Sequence, residues 1–235
     1  MAPGAPRVAV ALLGGGLGER LESPVPKALS PLLGHPMIHY SLRVFSSMAE
    51  VSAVYAAFPA LHISALEKAL ASYPRGSLRA IVPGGTTRAR SALAVLRAME
   101  RAAPEVVLVH DAARPCITVQ EVRDLLAALP GNDGAFLAIP AVDTLWNVEE
   151  ERVSGSVDRQ KMVQAMTPQA FSYGTLREAL EKGLAEGFEG SDDVSYVRRL
   201  GGSVVWVKAD RWNIKVTYPE DVPIVEALLG GKGCA

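Results

Sequence analysis

Three short segments combine glycines, cations and a carboxylate in a way that suits the handling of phosphates. GGGLGER runs from Gly14 to Arg20 directly after an apolar stretch. Glycines there let backbone N–H groups approach a ligand that a side chain would hold off. PGGTTRARS (83 to 91) and HDAARP (110 to 115) each follow another apolar stretch and carry Gly85, Ser91, Asp111, Ala112 and Arg114. Lys27 stands in SPVPKAL and Lys215 in NIKVT. Two familiar phosphate templates fail: G-x-G-x-x-G meets Glu19 or Leu21 at its last position, and no Gly-Lys follows at Walker spacing. Taken alone, the glycine segment reads equally well as a tight turn with two solvated cations. Other chemistries have less to stand on. His35 and His39 are four residues apart, but Pro36 starts the helix between them and no third metal ligand is near. There is no G-x-S-x-G elbow, and Cys116 has no evident histidine base.

The elements that must position these groups are legible as an alternation. Runs at 7–13, 51–58, 78–82, 105–110, 134–142 and 203–207 read as strands; 36–48, 62–73, 87–103 and 118–129 read as amphipathic helices. Further helices are expected near 174–187 and 192–200, and a last one opens at YPEDV. Such alternation predicts an α/β fold, a three-layer Rossmann-like arrangement with a mostly parallel sheet. In a parallel sheet the carboxyl ends of the first, third and fourth strands share one edge, so Gly14 to Gly18, Gly84 to Ser91 and His110 to Arg114 converge. Beside a glycine cradle and two cations, Asp111 reads better as a magnesium ligand than as a loop cap, because Mg²⁺ is commonly held by one carboxylate plus substrate phosphates and water. From about 143 to 164 the helical rhythm gives way to a hairpin-like arm, and a lone two-stranded ribbon usually lies on something. With no repeat or linker, the chain from 1 to 235 is expected to be one domain with this arm inserted.

Composition bounds what the site can meet. The chain has 235 residues, 49% apolar and 21% charged, within the range of globular proteins and long enough to fold without metal or disulfide. Its 24 Lys and Arg against 25 Asp and Glu leave no global field to draw nucleic acid or an anionic membrane, so an anionic ligand needs a local site. Two distant cysteines, Cys116 and Cys234, fit a reducing cytoplasm. The apolar run before the glycines is too short for a signal-peptide core and no stretch is long enough to span a membrane, so a soluble, cytoplasmic protein is expected.

In order and with similar spacing, GGGLGERL, PKAL, PGGTTRARS, VHDAARP, Asp143-Thr144, VDR at 157–159, TPQAF, SDD at 191–193 and NIKVT resemble the 2-C-methyl-D-erythritol 4-phosphate cytidylyltransferases over nearly the whole chain. The resemblance implies a nucleotidyltransferase domain that transfers the cytidylyl group of CTP to the sugar phosphate of isoprenoid-precursor synthesis, releasing pyrophosphate. It implies CTP over Gly14, Gly15, Gly16 and Gly18, with Arg20 and Lys27 on its phosphates. Gly85 and Ser91 would then recognise the cytosine and its surroundings, Ala112 would contact the nucleotide, and Asp111 would hold Mg²⁺. Arg159, Lys215 and Thr144 would hold the acceptor with help from Arg114 and Ser191, and the arm of a partner subunit would bring Thr144 and Arg159 across a homodimer. Ala28 stands where the family usually has Gln, Trp146 where Lys is common, Ser191 where Thr is common, and Gly14 and Gly15 where Ala is usual.

The residue inventory suits that reaction, since an acceptor phosphate is already an anionic nucleophile and no general base is called for. A cytidylyltransferase for another alditol phosphate, such as ribitol 5-phosphate, shares the nucleotide half. A non-catalytic nucleotide-binding regulator is the rival of another class.

Overall fold

Strand β1 (Val8–Leu13) is buried at every position. Its residues alternate between two hydrophobic cores: Val8, Val10 and Leu12 face one, and Ala9, Ala11 and Leu13 face the other. A strand covered on both faces reads as a continuous apolar run rather than an alternating one, which is why it is visible in sequence. The computed structural model describes residues 7–16, 19–21 and 25–231. Gly18 and Cys234 lie outside the described residues.

Two very short strands, β2 (Pro31–Leu32) and β3 (His35–Pro36), pair with each other ahead of helix α1 (Met37–Ser47). Strand β4 (Val51–Phe58), helix α2 (Ile63–Leu70), strand β5 (Leu78–Pro83), helix α3 (Arg88–Ala98), strand β6 (Val106–Asp111) and helix α4 (Val119–Ala127) follow in turn. Strand β7 (Gly134–Pro140) leads to the hairpin of β8 (Leu145–Glu149) and β9 (Arg152–Val157). Strand β10 (Val163–Ser172), helices α5 (Tyr173–Ala185) and α6 (Asp193–Arg199), strand β11 (Val204–Lys208) and helix α7 (Asp221–Gly230) complete the chain.

Seven strands form one sheet in the order β11-β7-β10-β6-β1-β4-β5. Every neighbouring pair is parallel except those of β10, which runs antiparallel to both β6 and β7. Helices α1, α2 and α4 cover one face through Ile38, Leu42, Phe45, Leu66, Val122 and Leu125. Helices α3, α5 and α6 cover the other through Leu93, Leu96, Leu176, Leu180 and Val197. The expected three-layer α/β fold with a mostly parallel sheet is therefore what forms.

Two expectations need correction. Strand β10 is not among the strands that the sequence pattern predicts, although it is central. Its first half is partly polar, and Pro168, which has no N–H for the ladder, sits within it; the register shifts between Ala165 and Gln169 to accommodate it. The arm is also shorter than 143–164, since Val163 and Gln164 already pair with Pro140 and Ile139 of the main sheet.

Candidate active site

A cleft of about 300 Å³ opens at the carboxyl ends of β1, β5 and β6 and is lined by Gly14 to Gly16, Gly85 to Arg88, Asp111 and Lys215 among others. The three segments expected to converge do so. The Gly14 N–H donates to Ala57 O at 2.9 Å, and Gly16 O accepts from the Lys27 N–H at 3.1 Å, which ties the glycine turn to the segment that carries Lys27. Gly14 is buried, and a Cβ there would lie 2.9 Å from the Phe58 ring and 3.3 Å from Ala28. Glycine is thus fixed by packing at Gly14, whereas Gly15 and Gly16 are exposed and leave their backbone open to the cleft. A Cβ at Gly85 would come 2.4 Å from that of Arg90, so the turn after β5 closes only on glycine. Ser91 lines the cleft, and its hydroxyl accepts from the Gly85 N–H at 3.1 Å and donates to Thr87 O at 3.0 Å, shaping that turn.

Asp111 is the last residue of β6 and is buried. Its N–H donates to Thr167 Oγ1 at 3.0 Å. Oδ1 accepts from Arg88 Nε at 3.0 Å and Oδ2 from Lys215 Nζ at 2.7 Å. Burial opposes ionisation of this carboxyl, but the charges of Arg88 and then Lys215 outweigh it and hold the group far below the ordinary carboxylate range. Lys27 lines the same cleft and donates to Val216 O at 2.9 Å. Burial lowers its pKa, and Lys215 and Arg20 lower it further. Arg20 lies over the Tyr218 ring, 5.8 Å from the centroid. Three cations of the sequence reading, Arg20, Lys27 and Lys215, therefore share one cleft with an ionised carboxylate.

The segment carrying Lys215 is strapped in place by residues of HDAARP and of β10. Arg114 Nη1 donates to Asn213 O at 2.7 Å, the Val216 N–H donates to Ala113 O at 2.8 Å, and the buried Asn213 Nδ2 donates to Thr167 O at 2.9 Å. Arg114 is thus a brace and does not line the cleft. Ala112 does not line it either: the residue is fully buried with its N–H on Leu13 O, and Ala113 takes the lining position.

His110, fully buried, ties these parts together. Its Nε2 lies 3.2 Å from Arg114 O and 3.3 Å from Ser41 Oγ, and its Nδ1 lies 3.1 Å from Thr167 Oγ1. Because a carbonyl only accepts, Nε2 carries the proton and Nδ1 accepts from Thr167, whose oxygen in turn accepts the Asp111 N–H. Burial pushes the imidazole down to about 4, so it is neutral at physiological pH. His35 and His39 stack 5.1 Å apart, and His35 Nδ1 lies 2.7 Å from Tyr73 Oη.

Thr144, Arg159 and Ser191 are exposed and do not line the cleft within the chain. Arg159 Nη1 donates to Val142 O at 2.6 Å at the base of the arm. Sequence reasoning also assigns no role to Arg88, which lines the site, or to Asp193, which holds it. Arg88, the first residue of α3, donates from Nη1 to Asp193 Oδ2 at 2.6 Å as well as to Asp111. A cation in the first turn of a helix opposes the helix dipole, and that mismatch is the signal available in the sequence. Asp193 is marked only as part of SDD at 191–193, since an acidic residue at the start of a helix is otherwise ordinary.

A sequence profile described as 2-C-methyl-D-erythritol 4-phosphate cytidylyltransferase matches residues 8–231. The chain belongs to the 2-C-methyl-D-erythritol 4-phosphate cytidylyltransferase family. Proteins of that name from Geotalea uraniireducens and Geobacter metallireducens are 37% and 38% identical to it, covering 95% and 92% of this chain and 97% and 95% of their own. The crystal structure of the cytidylyltransferase from Thermus thermophilus is 30% identical, with a TM-score of 0.75 over 94% of this chain and 98% of that one. The crystal structure of 4-diphosphocytidyl-2C-methyl-D-erythritol synthase from Anaerococcus prevotii superimposes with a TM-score of 0.84 at 25% identity, over 97% of each chain. The cytidylyltransferase matches thus extend across the glycine turn, the carboxylate and the lysine strap alike.

Proposed function

We propose that this family member transfers the cytidylyl group of CTP to 2-C-methyl-D-erythritol 4-phosphate, giving 4-diphosphocytidyl-2-C-methyl-D-erythritol and pyrophosphate in isoprenoid-precursor synthesis. The observation that carries this reading is the meeting of an open glycine backbone, Arg20, Lys27, Lys215 and the ionised Asp111 in one cleft. The acceptor phosphate attacks the α-phosphorus of CTP, the bond to the β-phosphate breaks, and pyrophosphate leaves with the electron pair. What opposes the step is repulsion between two polyanions and the charge growing on the leaving group. Fixed cations and backbone N–H groups lower that barrier by positioning and electrostatic stabilisation. Gly15 and Gly16 present backbone to the triphosphate, Arg20 and Lys27 draw its phosphates inward, and Lys215 turns from Asp111 to the acceptor phosphate.

Asp111 fits a magnesium ion. Its Oδ2 already has a cation 2.7 Å away, the Lys215 ammonium, and a single carboxylate suits an ion whose shell is completed by phosphates and water. Among the described residues no group of three or more His, Cys, Asp or Glu is placed to hold a metal without substrate. Bound there, Mg²⁺ would offset charge on the triphosphate.

The acceptor half of the reading extends to a second subunit. Thr144 and Arg159 lie away from the cleft of their own chain, while Trp146, Val148 and Val153 expose 56%, 63% and 61% of their surface on the arm. An arm with that much apolar surface is suited to lie against another copy, and we read the protein as a homodimer in which each arm, with Thr144 and Arg159, completes its partner's site. Ser191 belongs to the same acceptor region in this reading. No described helix is long and apolar enough to cross a membrane, and a cytoplasmic enzyme acting as one domain is the setting that fits.

The test is pyrophosphate release from CTP and Mg²⁺ with methylerythritol 4-phosphate or ribitol 5-phosphate as acceptor. Turnover with the first and not the second is expected. The reverse would move the assignment to another alditol phosphate, and CTP binding without turnover on either would favour a regulator.

A further inference from the structure

Arg88 and Asp193 have no part in the reaction as read so far, yet Arg88 lines the cleft in contact with the carboxylate at its centre, and Asp193 holds Arg88 from behind. A guanidinium facing a carboxylate ordinarily presents two parallel N–H bonds, fork to fork. Arg88 instead divides its donors, Nε to Asp111 Oδ1 at 3.0 Å and Nη1 to Asp193 Oδ2 at 2.6 Å. The division leaves Arg88 Nη2 and Asp193 Oδ1 buried with no hydrogen-bond partner among the described residues. An arrangement favouring stability alone would turn the fork onto one carboxylate and satisfy those atoms. The price is accepted for something that the divided geometry supplies.

What it supplies is an oxygen that Arg88 does not occupy. Because Asp193 holds Nη1, Arg88 reaches Asp111 at Oδ1 only, and Oδ2 is met by Lys215, whose side chain is 42% exposed and can be exchanged. Asp193 is itself held firmly. It is 1% exposed at the first position of α6, and the preceding Asp192 caps that helix through the Ser195 N–H at 3.0 Å while accepting from Gln169 Nε2 of β10 at 2.9 Å. The start of α6 is therefore tied to the sheet, and Asp193 cannot follow Arg88 if the arginine swings toward Asp111.

We propose that Asp193 is a positioning residue which, by holding one arm of Arg88, keeps Oδ2 of Asp111 open to the divalent cation that accompanies CTP. Without it the guanidinium closes on Asp111 as a fork, covering both oxygens. The proposal rests on Asp111 as the holder of that cation. It goes beyond it in assigning a role to a residue that touches neither nucleotide nor metal.

The experiment follows binding of Mn²⁺-CTP to the full-length protein by water-proton relaxation enhancement, with CTP binding in the absence of metal measured alongside. Asp111→Asn controls for the underlying reading: if it binds Mn²⁺-CTP as the wild type does, Asp111 is not the cation holder. Given a weakened control, Asp193→Asn should lose about tenfold in affinity for Mn²⁺-CTP, as changes behind a ligand commonly do, while metal-free CTP binding stays within about twofold. Unchanged Mn²⁺-CTP binding by Asp193→Asn overturns the proposal. The decisive variant is Arg88→Met with Asp193→Asn. If Asp193 serves only to restrain Arg88, removing the arginine too should restore most of the lost affinity. A plain structural role makes the double variant the weaker of the two, and that outcome refutes the idea. The double variant contains no unpaired buried charge, so it remains informative through comparison with wild type even where Asp193→Asn fails to fold.

Discussion

His110 gives the fold a pH dependence that can be worked out from its surroundings. It is fully buried and serves as donor to Arg114 O and acceptor from Thr167, roles that only the neutral ring can fill. Desolvation lowers its pKa from the ordinary 6.5 to about 4. Between those values the unfolded chain binds a proton that the folded chain refuses, so stability rises with pH across this window and is lost as pH falls. The loss is on the order of 1 kcal/mol at pH 5.5 and about 2 to 3 kcal/mol at pH 4.5, relative to pH 7.5. His110→Gln removes the titration and keeps an amide donor near the place of Nε2. Urea unfolding of both proteins at about pH 7.5, 5.5 and 4.5 reads the difference directly, because other groups titrate alike in the two and cancel. Wild type should be the more stable at pH 7.5, with its advantage shrinking by about those amounts on acidification. A difference that stays constant over the range would mean that His110 titrates alike in both states, and the burial argument would fail.

Asp111→Asn should leave the fold largely intact but weaken the dependence of turnover on Mg²⁺, since the amide keeps the shape and loses the charge; wild-type activity at equal metal would contradict it. Lys27→Ala should lower turnover about 10²-fold or more, the magnitude of a lost oxyanion donor, and a rise in KM alone would make Lys27 a ground-state binder. Lys27→Ala and Arg159→Ala, each inactive, should complement on mixing: a heterodimer holds one site with both lesions and one with neither, so random exchange restores about a quarter of all sites. Heterodimers seen by mass spectrometry without regained activity would end the shared-site reading.

Much of this molecule is legible in its sequence because burial on both sides of a parallel sheet writes plain apolar runs, as in Val8–Leu13 and Val106–Asp111. The convergence of Gly14, Gly85 and Asp111 then follows from strand direction alone. What is not legible depends on partners distant in sequence. That Arg114 braces the Asn213 carbonyl is invisible until the distant segment is in place, and Ala112 and Ala113 differ only in which one faces the cleft. Arg88 and Asp193 are 105 residues apart, and nothing local to either names the other. Strand β10 is hidden for the opposite reason: Pro168 and the polar residues around it argue locally against a central strand, and the two neighbours that complete its pairing overrule that argument.

The reversed direction of β10 also decides where extra chain can be housed. A parallel successor to β7 would require a crossover back to the opposite edge of the sheet. An antiparallel one begins where β7 ends, and Val163 pairs with Pro140 at the same rim as Asp111. Everything from 141 to 162 is thus a detour between two points already joined, and its hairpin forms a separate sheet. Growth of this detour lengthens what projects from that rim without moving a single rung of the seven-stranded ladder. Folding and reach are therefore specified by different stretches of the chain, and one can vary while the other is kept.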